Sequence, residues 1–171
     1  MKRALASLFL AFAACSPAAD PPWQVLDAGD GFTVEAPGSP KIEEIKENAP
    51  PVGVITGKQY QWETPSNRFY MAMFMNFPVQ IARAGDMSKA MSAMADGIAK
   101  RTKGSVSSEK AVVVLGLPGV EYEIKMGVKK GSLRIRTVES HGVVYLIAAG
   151  WPEGRKSYKD EERFFDSFKL K

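Results

Sequence analysis

The sequence predicts an α+β fold, namely a three-layer α/β/α sandwich with a mostly antiparallel sheet and two main helices. Three segments, 68–77, 143–149 and 112–115, carry apolar side chains on both faces of an extended chain, which is typical of central strands covered on both sides. Two other segments have the apolar period of amphipathic helices. A sheet covered on both faces needs two further layers, and we expect one helix in each.

The first fifteen residues are predicted to be an export signal. Lys2 and Arg3 form its positive start, and residues 4–14 form an apolar run. The run suits a secretory signal and is shorter than the roughly 20 residues that a membrane span requires. No later segment reaches that length, so we expect no transmembrane helix in the mature chain.

The signal ends in the motif FAAC at residues 12–15, which resembles the lipobox of bacterial lipoproteins. The resemblance implies a lipid on Cys15 that anchors the protein to the outer membrane, facing the periplasm. The alternative is ordinary cleavage to a soluble periplasmic or secreted protein, because Phe12 stands where a lipobox usually has Leu. Residues 16–30 are predicted to be a Pro/Ala-rich tether, and residues 31–171 a single domain.

Three strands are predicted in the first third of the domain. The first covers residues 31–36 and stops at a Pro-Gly turn pair; the others cover 41–47 and 53–63. The third strand alternates, so it should place two aromatic side chains on one face and two glutamines on the other. These are Tyr60 and Trp62, and Gln59 and Gln61.

The clearer of the two helices is predicted over residues 86–103, with Asp86 as its N-cap and Gly104 as its stop. Its expected apolar stripe consists of Met87, Met91, Met94 and Ile98. The second helix should begin near Ser157, with Asp160 completing a capping box. Its expected apolar side consists of Phe164, Phe165 and Phe168.

A hairpin is predicted from strands at 119–127 and 132–138. Its loop should have an even length, because an odd loop would set apolar side chains against arginines. Pairing Gly127 with Ser132 satisfies this condition and places Lys125 opposite Arg134 on the wet face.

The tip of this hairpin is basic and is the candidate partner contact. Like charges across a ladder are unfavourable, so an unpaired positive patch there requires an explanation. The favoured interpretation is that the lysines keep the protein soluble and protect a sheet edge. The alternative is contact with anionic lipid headgroups or an anionic partner. The residues concerned are Lys125, Lys129, Lys130 and Arg134.

Several segments resemble the PsbP-like and DcrB-like envelope domains, over about residues 31–170. They are GFTVEAPGSPK (31–41), GLPGVEYEI (116–124), the LRIRT and VVYLIAAG strands, and FFDSFKL (164–170). The resemblance implies an α/β/α sandwich that binds other macromolecules or assists envelope assemblies rather than catalysing a reaction. The matching motifs are turns and core strands, so they imply nothing about the role of the photosynthetic members.

No catalytic residues are predicted, and we expect the protein not to be an enzyme. His141 is the single histidine and lies between two predicted strands, where a turn is expected. A histidine triad needs a nucleophile and an orienting acid nearby, and no nucleophile elbow is present in the sequence. The acidic run 160–162 should complement a helix dipole. An enzyme of an unrecognised class is the least favoured alternative.

No metal or cofactor is predicted either. One histidine and a leader cysteine exclude a zinc set, and phosphate-binding loops are absent from the sequence. Residues 27–31 suggest a calcium loop, but an Asx/Gly turn explains them better. Two methionine groups offer thioethers for Cu(I), although core packing is the favoured interpretation. They are Met71, Met73 and Met75, and Met87, Met91 and Met94.

The net charge of the chain is too small to suggest a nucleic-acid partner. The chain has 23 basic and 19 acidic residues, and two of the basic ones belong to the leader, so nucleic acid is not an expected partner. The leading hypothesis is a lipid-anchored envelope module that binds an unknown envelope protein or cell-wall partner. The alternative is a carrier of a small apolar ligand in a methionine- and aromatic-lined cavity between helix and sheet, which a large cavity would favour.

Overall fold

The computed structural model describes residues 19–29, 31–49, 53–78, 87–127, 131–154 and 159–171. In these residues it contains two helices and ten strands. The strands are β1 (Trp23–Asp27), β2 (Phe32–Pro37), β3 (Lys41–Ala49), β4 (Gly53–Glu63), β5 (Phe69–Asn76), β6 (Ser105–Val114), β7 (Leu117–Met126), β8 (Gly131–Ser140), β9 (Val143–Pro152) and β10 (Lys169–Leu170). The helices are α1 (Met87–Arg101) and α2 (Lys159–Ser167).

The strands form two antiparallel sheets. The large sheet has seven strands in the order β3-β4-β5-β9-β8-β7-β6, and the small sheet has the order β1-β2-β10. Every strand pair in both sheets is antiparallel. The predicted α+β class, with mostly antiparallel sheets and two helices, is therefore confirmed.

The two faces of the large sheet carry different cores, because successive side chains of a strand alternate between faces. On one face lie the aromatic residues of β4 and β5, which pack with the small sheet and α2. We call this the aromatic face. On the other lie the methionines of β5, which belong to the cluster that includes residues of α1. We call this the methionine face.

The aromatic face is closely packed. Phe164 of α2 is fully buried, with its ring centroid 5.1 Å from that of Tyr70 and 6.0 Å from that of Trp62. The Trp62 indole donates a hydrogen bond of 3.1 Å to the carbonyl of Gly38. The ring centroid of Phe168 lies 5.5 Å from that of Phe32 in the small sheet. The predicted Phe164, Phe165 and Phe168 side is therefore confirmed as core.

Strands β5 and β9 lie at the centre of the large sheet, as predicted, but the run Val112–Leu115 does not. It belongs to the edge strand β6 and the following turn, and Val113 is 76% exposed. The chain reverses at Leu115 and Gly116, which both have positive φ. A short apolar run has the same pattern at an edge as at the centre, so periodicity did not distinguish the two.

Part of the predicted tether is a strand. Residues 23–27 form β1 and pair with β2, so the ordered domain extends further toward the N-terminus than residue 31. The Trp23 ring meets Tyr70 at 5.5 Å, and this contact holds the strand against the aromatic face. The two-residue strand β10 was also not expected. Both strands are too short for a clear alternation pattern.

The β7–β8 hairpin has the predicted even parity but a register shifted by two residues. Glu123 lies opposite Arg134, and Lys125 lies opposite Ser132. The predicted opposition of Lys125 and Arg134 is therefore wrong. The observed register sets opposite charges across the ladder, which is the more favourable arrangement.

Helix α1 buries a slightly different stripe from the predicted one. Met87, Met91, Ala95 and Ala99 are buried, at a spacing of four residues. Met94 and Ile98 are only partly buried. Met91 and Met87 pack with Val144 of the sheet. The expected caps Asp86 and Ser157 lie outside the described residues.

Helix α1 ends close to the predicted stop, but through a different residue. Lys103 adopts the left-handed conformation with a φ of 49°, and the Gly104 N–H donates to the carbonyl of Ala99 at 2.8 Å. Gly104 is required for another reason: a Cβ there would lie 2.1 Å from the carbonyl oxygen of Lys125.

Candidate functional site

A groove of about 1240 Å³ opens on the methionine face. Helix α1 packs over β6, β7 and β8, at one side of the large sheet. The part of this face formed by β3, β4 and β5 continues beyond the helix and forms the groove floor and far wall. The groove is therefore bounded by α1 on one side and the β3–β4 hairpin on the other.

The floor of the groove is made of methionines. Met71, Met73 and Met75 share one face of β5, as the sequence predicted, and Met73 is only 8% exposed. Met94 and Ile98 of α1 form the adjoining wall. Methionine is flexible and polarizable, so such a surface adapts to differently shaped apolar partners.

The wall formed by β4 is polar. The Gln59 side chain donates to Gln61 at 3.2 Å, and Gln61 donates to the carboxylate of Glu63 at 3.3 Å. The side-chain alternation of β4 is thus as predicted, with Tyr60 and Trp62 in the aromatic core. Glutamines facing an apolar floor suit a wet groove rather than a dry core, since buried amides require complete hydrogen bonding.

The rim of the groove is mainly acidic on the β3 side. Glu43 and Glu47 lie on the same face of β3 as Ile45, which lines the groove. Glu43 forms an exposed ion pair with Lys41 at 2.6 Å. The groove-lining cations are Lys46, Arg68 and Arg101.

The predicted basic contact is only partly described. Arg134 donates to Glu162 of α2 at 2.5 Å, so it already has an ion-pair partner within the domain. Its guanidinium also lies 5.8 Å from the rings of Trp151 and Phe165. Lys125 is exposed at the end of β7, whereas Lys129 and Lys130 lie outside the described residues. Contact of this tip with a partner stays a prediction.

A buried carboxyl lies under α2, and sequence reasoning missed it. Glu161 is 1% exposed, and its Oε2 has no hydrogen-bond partner among the described residues. Burial raises the pKa of Glu161 above its usual value. The hydroxyl of Tyr70 also has no hydrogen-bond partner among the described residues. Its burial, followed by the nearby Glu161, raises its pKa to about 12.

Glu121 shows the opposite behaviour because it is paired. Arg136 donates to it at 2.7 Å, and Lys110 approaches it at 2.9 Å. Burial alone would raise the pKa of Glu121, but the hydrogen bonds from these two cations lower it. Arg136 also lies over the ring of Phe165 at 4.5 Å. This cluster joins β6, β7, β8 and α2 and is structural.

Two further sequence candidates, His141 and the Asp27 turn, do not line the groove. His141 has a positive φ of 54° in the β8–β9 turn and contacts the hydroxyl of Ser140 at 2.9 Å. The Gly29 N–H donates to the Asp27 carboxylate at 2.8 Å, which is the predicted Asx turn. Cys15 lies outside the described residues. In the described ranges, no group of three or more His, Cys, Asp or Glu side chains is arranged to hold a metal.

A smaller depression of about 420 Å³ lies between β2 and α2. Arg163 and Glu35, which line it, bond to each other at 2.7 Å, and Arg163 also lies 4.6 Å from the Trp23 ring. These groups are mutually satisfied, so the depression is a weaker candidate than the groove. Neither helix of the described chain has the length and hydrophobicity of a membrane span.

Comparison with known proteins identifies the fold. No protein-family model and no curated protein matches the chain. The solution structure of cyanobacterial PsbP (CyanoP) from Synechocystis sp. PCC 6803 is similar, with a TM-score of 0.56 and 13% identity, covering 94% of this chain and 99% of that one. PA94 from Pseudomonas aeruginosa, a protein of unknown function, has a TM-score of 0.32 and 11% identity, covering 77% of this chain and 83% of that one. The chain thus has a PsbP-like fold, as the sequence resemblance implied.

Proposed function

We propose that this protein is an exported, non-enzymatic binding module of the bacterial envelope, and that the methionine-lined groove is its binding site. The module has an α/β/α arrangement, with α1 on the methionine face and α2 with the small sheet on the aromatic face. The observation that carries the proposal is the groove of about 1240 Å³ between helix and sheet. Ligand pockets are typically about 300–1,000 Å³, so this groove is at least large enough for one.

The composition of the groove supports binding rather than catalysis. Its floor is apolar, and the β4 wall carries amides that bond to one another. The buried carboxyl of Glu161, which has a raised pKa, lies with α2 and is not among the residues that line the groove. Binding in the groove therefore does not require Glu161, which belongs to the core.

The second candidate function is a carrier of a small apolar ligand, and the size of the groove favours it specifically. A close-packed interface between α1 and the sheet would have excluded this alternative. Instead, Met94 and Ile98 are only partly buried at the edge of the core cluster, and both line the groove. Both functions use the same site and differ in the occupant.

The site is tested by blocking it without disturbing the core. Gly97 lines the groove in the interior of α1, and a Cβ added there meets no atom within 4 Å. We expect Gly97→Leu to fold and to lose saturable binding of the uncharged apolar dye Nile red. Ser88→Leu, on the exposed side of the same helix, is the control and should keep it. Equal dye binding by both variants would show that the groove is not the site.

Membrane attachment is a separate part of the proposal. The lipobox-like motif at residues 12–15 supports a lipid on Cys15, and the domain then faces the periplasm. A Cys15→Ser variant should move from the membrane fraction to the soluble fraction. Wild-type protein found soluble and unmodified in the periplasm would instead support the secreted alternative.

A further inference from the structure

The part of the methionine face that the described residues leave uncovered is wide enough for one helix. Neighbouring strands lie about 4.8 Å apart, so the three strands beyond α1 give a surface wide enough for one helix of about 10 Å diameter. A groove of about 1240 Å³ corresponds to a cylinder of that diameter and about 15 Å in length, which is roughly ten residues of helix. The space therefore suits one short helix beside α1.

The wall that α1 presents would allow close approach of a second helix. Ala90, Ala93 and Gly97 are the small residues among those of α1 that line the groove, beside the larger Met94 and Ile98. Packed helices approach to about 8–10 Å depending on the residues at the contact, and small residues give the shorter distance. The methionines of the floor would adapt to the apolar face of such a helix.

The charge of the opposite rim indicates the polar face of the occupant. Glu43, Glu47 and Glu63 line the groove on the β3–β4 side. Of the cations nearby, Lys41 of β3 is paired with Glu43 at 2.6 Å, and Arg68 is bound to Asp160 of α2. Lys46 projects to the other face of β3 by the alternation of the strand. Arg101 remains on the α1 side. The rim that a second helix would meet opposite α1 therefore has an excess of acidic side chains, because Glu47 and Glu63 add to the paired Glu43.

We propose that the groove binds a basic amphipathic helix of a partner protein. Its apolar face lies on Met71, Met73 and Met75, and its lysines or arginines meet the acidic rim. A methionine floor with complementary charge at the rim is suited to recognition of a helix in a groove. This inference rests on the proposed function, because it names the occupant of the same site.

The test compares two synthetic 14-residue peptides that share one leucine face and carry either lysine or glutamate on the polar face. With the full chain, we expect the lysine peptide to bind saturably, with an affinity that falls as salt is added, and the glutamate peptide to bind at least tenfold more weakly. Calorimetry and fluorescence anisotropy measure both affinities. Palmitate is titrated in parallel as a small apolar ligand.

Two charge-reversal variants locate the contact. The double variant Glu43→Lys, Glu47→Lys should weaken the lysine peptide at least tenfold. The matched control Asp96→Lys, Glu109→Lys changes the net charge equally at exposed positions that do not line the groove, and it should bind as the wild type does. Circular dichroism checks that both variants are folded.

The possible failures are distinguishable. Equal affinity for both peptides, or equal weakening by both charge-reversal variants, would overturn the basic-helix inference and leave the groove as a binding site. Binding of palmitate without either peptide would also overturn it, in favour of the small-ligand carrier. If neither peptide nor palmitate binds and the dye also binds equally to the groove-blocked Gly97→Leu variant, the proposed function itself fails.

Discussion

The two faces of the large sheet are covered in different ways. The aromatic face is covered by α2 and the small sheet, and its rings interlock around Phe164, which is fully buried. The methionine face is covered by α1 over β6–β8, and its other part opens as a groove. Rigid rings therefore dominate the closed face, whereas the open one carries flexible thioethers between Phe69 and Phe77 of the same strand face.

This difference separates the part of the core that defines the fold from the part that is free to bind. Aromatic side chains have few rotatable bonds and specific contact geometry, so they specify one packing arrangement. Methionines fill irregular space and tolerate change. Substitutions on the two faces should therefore have unequal effects on stability and on binding.

The largest effect on stability is expected from Phe164→Ala on the aromatic face. The ring is fully buried between Tyr70 and Trp62, so its removal leaves a closed cavity. We expect a loss of about 3–5 kcal/mol in the free energy of unfolding. Denaturant unfolding measures it, and a loss below about 1 kcal/mol would show that this face is not closely packed.

Met73→Ala on the floor of the groove should cost less, about 2 kcal/mol. The side chain is nearly buried, but the space above it is already open, so truncation adds little new closed cavity. The same unfolding experiment provides the comparison. A loss equal to that of Phe164→Ala would mean that the two faces are packed alike. Met91→Ala, under α1, should lie between the two.

The buried Glu161 gives a pH-dependent difference on the closed side of the domain. Its pKa is raised by burial in the folded state, so its contribution to stability is fully present below the pKa of the unfolded chain and is lost as the pH rises through the folded pKa. Glu161→Gln removes this loss. We expect the variant to gain stability relative to the wild type as the pH is raised from about 4 to 8, and a constant difference over that range would contradict the assignment.

The smallest effect is expected from Gly97→Ala in α1. The residue lies in the helix interior and a Cβ there meets no atom within 4 Å, so alanine should stabilise the domain by about 0.5–1 kcal/mol. Thermal unfolding measures the gain. A loss of stability would mean that the groove wall is more tightly packed than the structure indicates.

The elements of both faces were predictable from the sequence, but the groove was not. Alternation placed Tyr60, Trp62 and the β5 methionines correctly, because it depends only on the local geometry of a strand. Whether Met94 and Ile98 face the sheet or a groove depends on where α1 docks across seven strands, and helical period does not specify that position. The same apolar period is therefore found on a helix face that packs against a sheet and on one that lines a groove.

Long-range placement limited the other predictions in the same way. Parity requires an even loop in the β7–β8 hairpin, but it leaves registers two residues apart equally acceptable; the pairing of Glu123 with Arg134 distinguishes them. Glu161 is one of three adjacent acids, and only the packing of α2 decides which of them is buried.

The most direct test of the groove is nuclear magnetic resonance of the chain labelled with ¹³C at the methionine methyl groups. On addition of the lysine peptide, we expect the signals of Met71, Met73, Met75 and Met94 to shift, because these side chains line the groove. The signal of Met87, which is buried and does not line it, should stay in place. Saturable binding that shifts Met87 as much as the groove methionines, or shifts none of them, would contradict the assignment of the groove as the binding site.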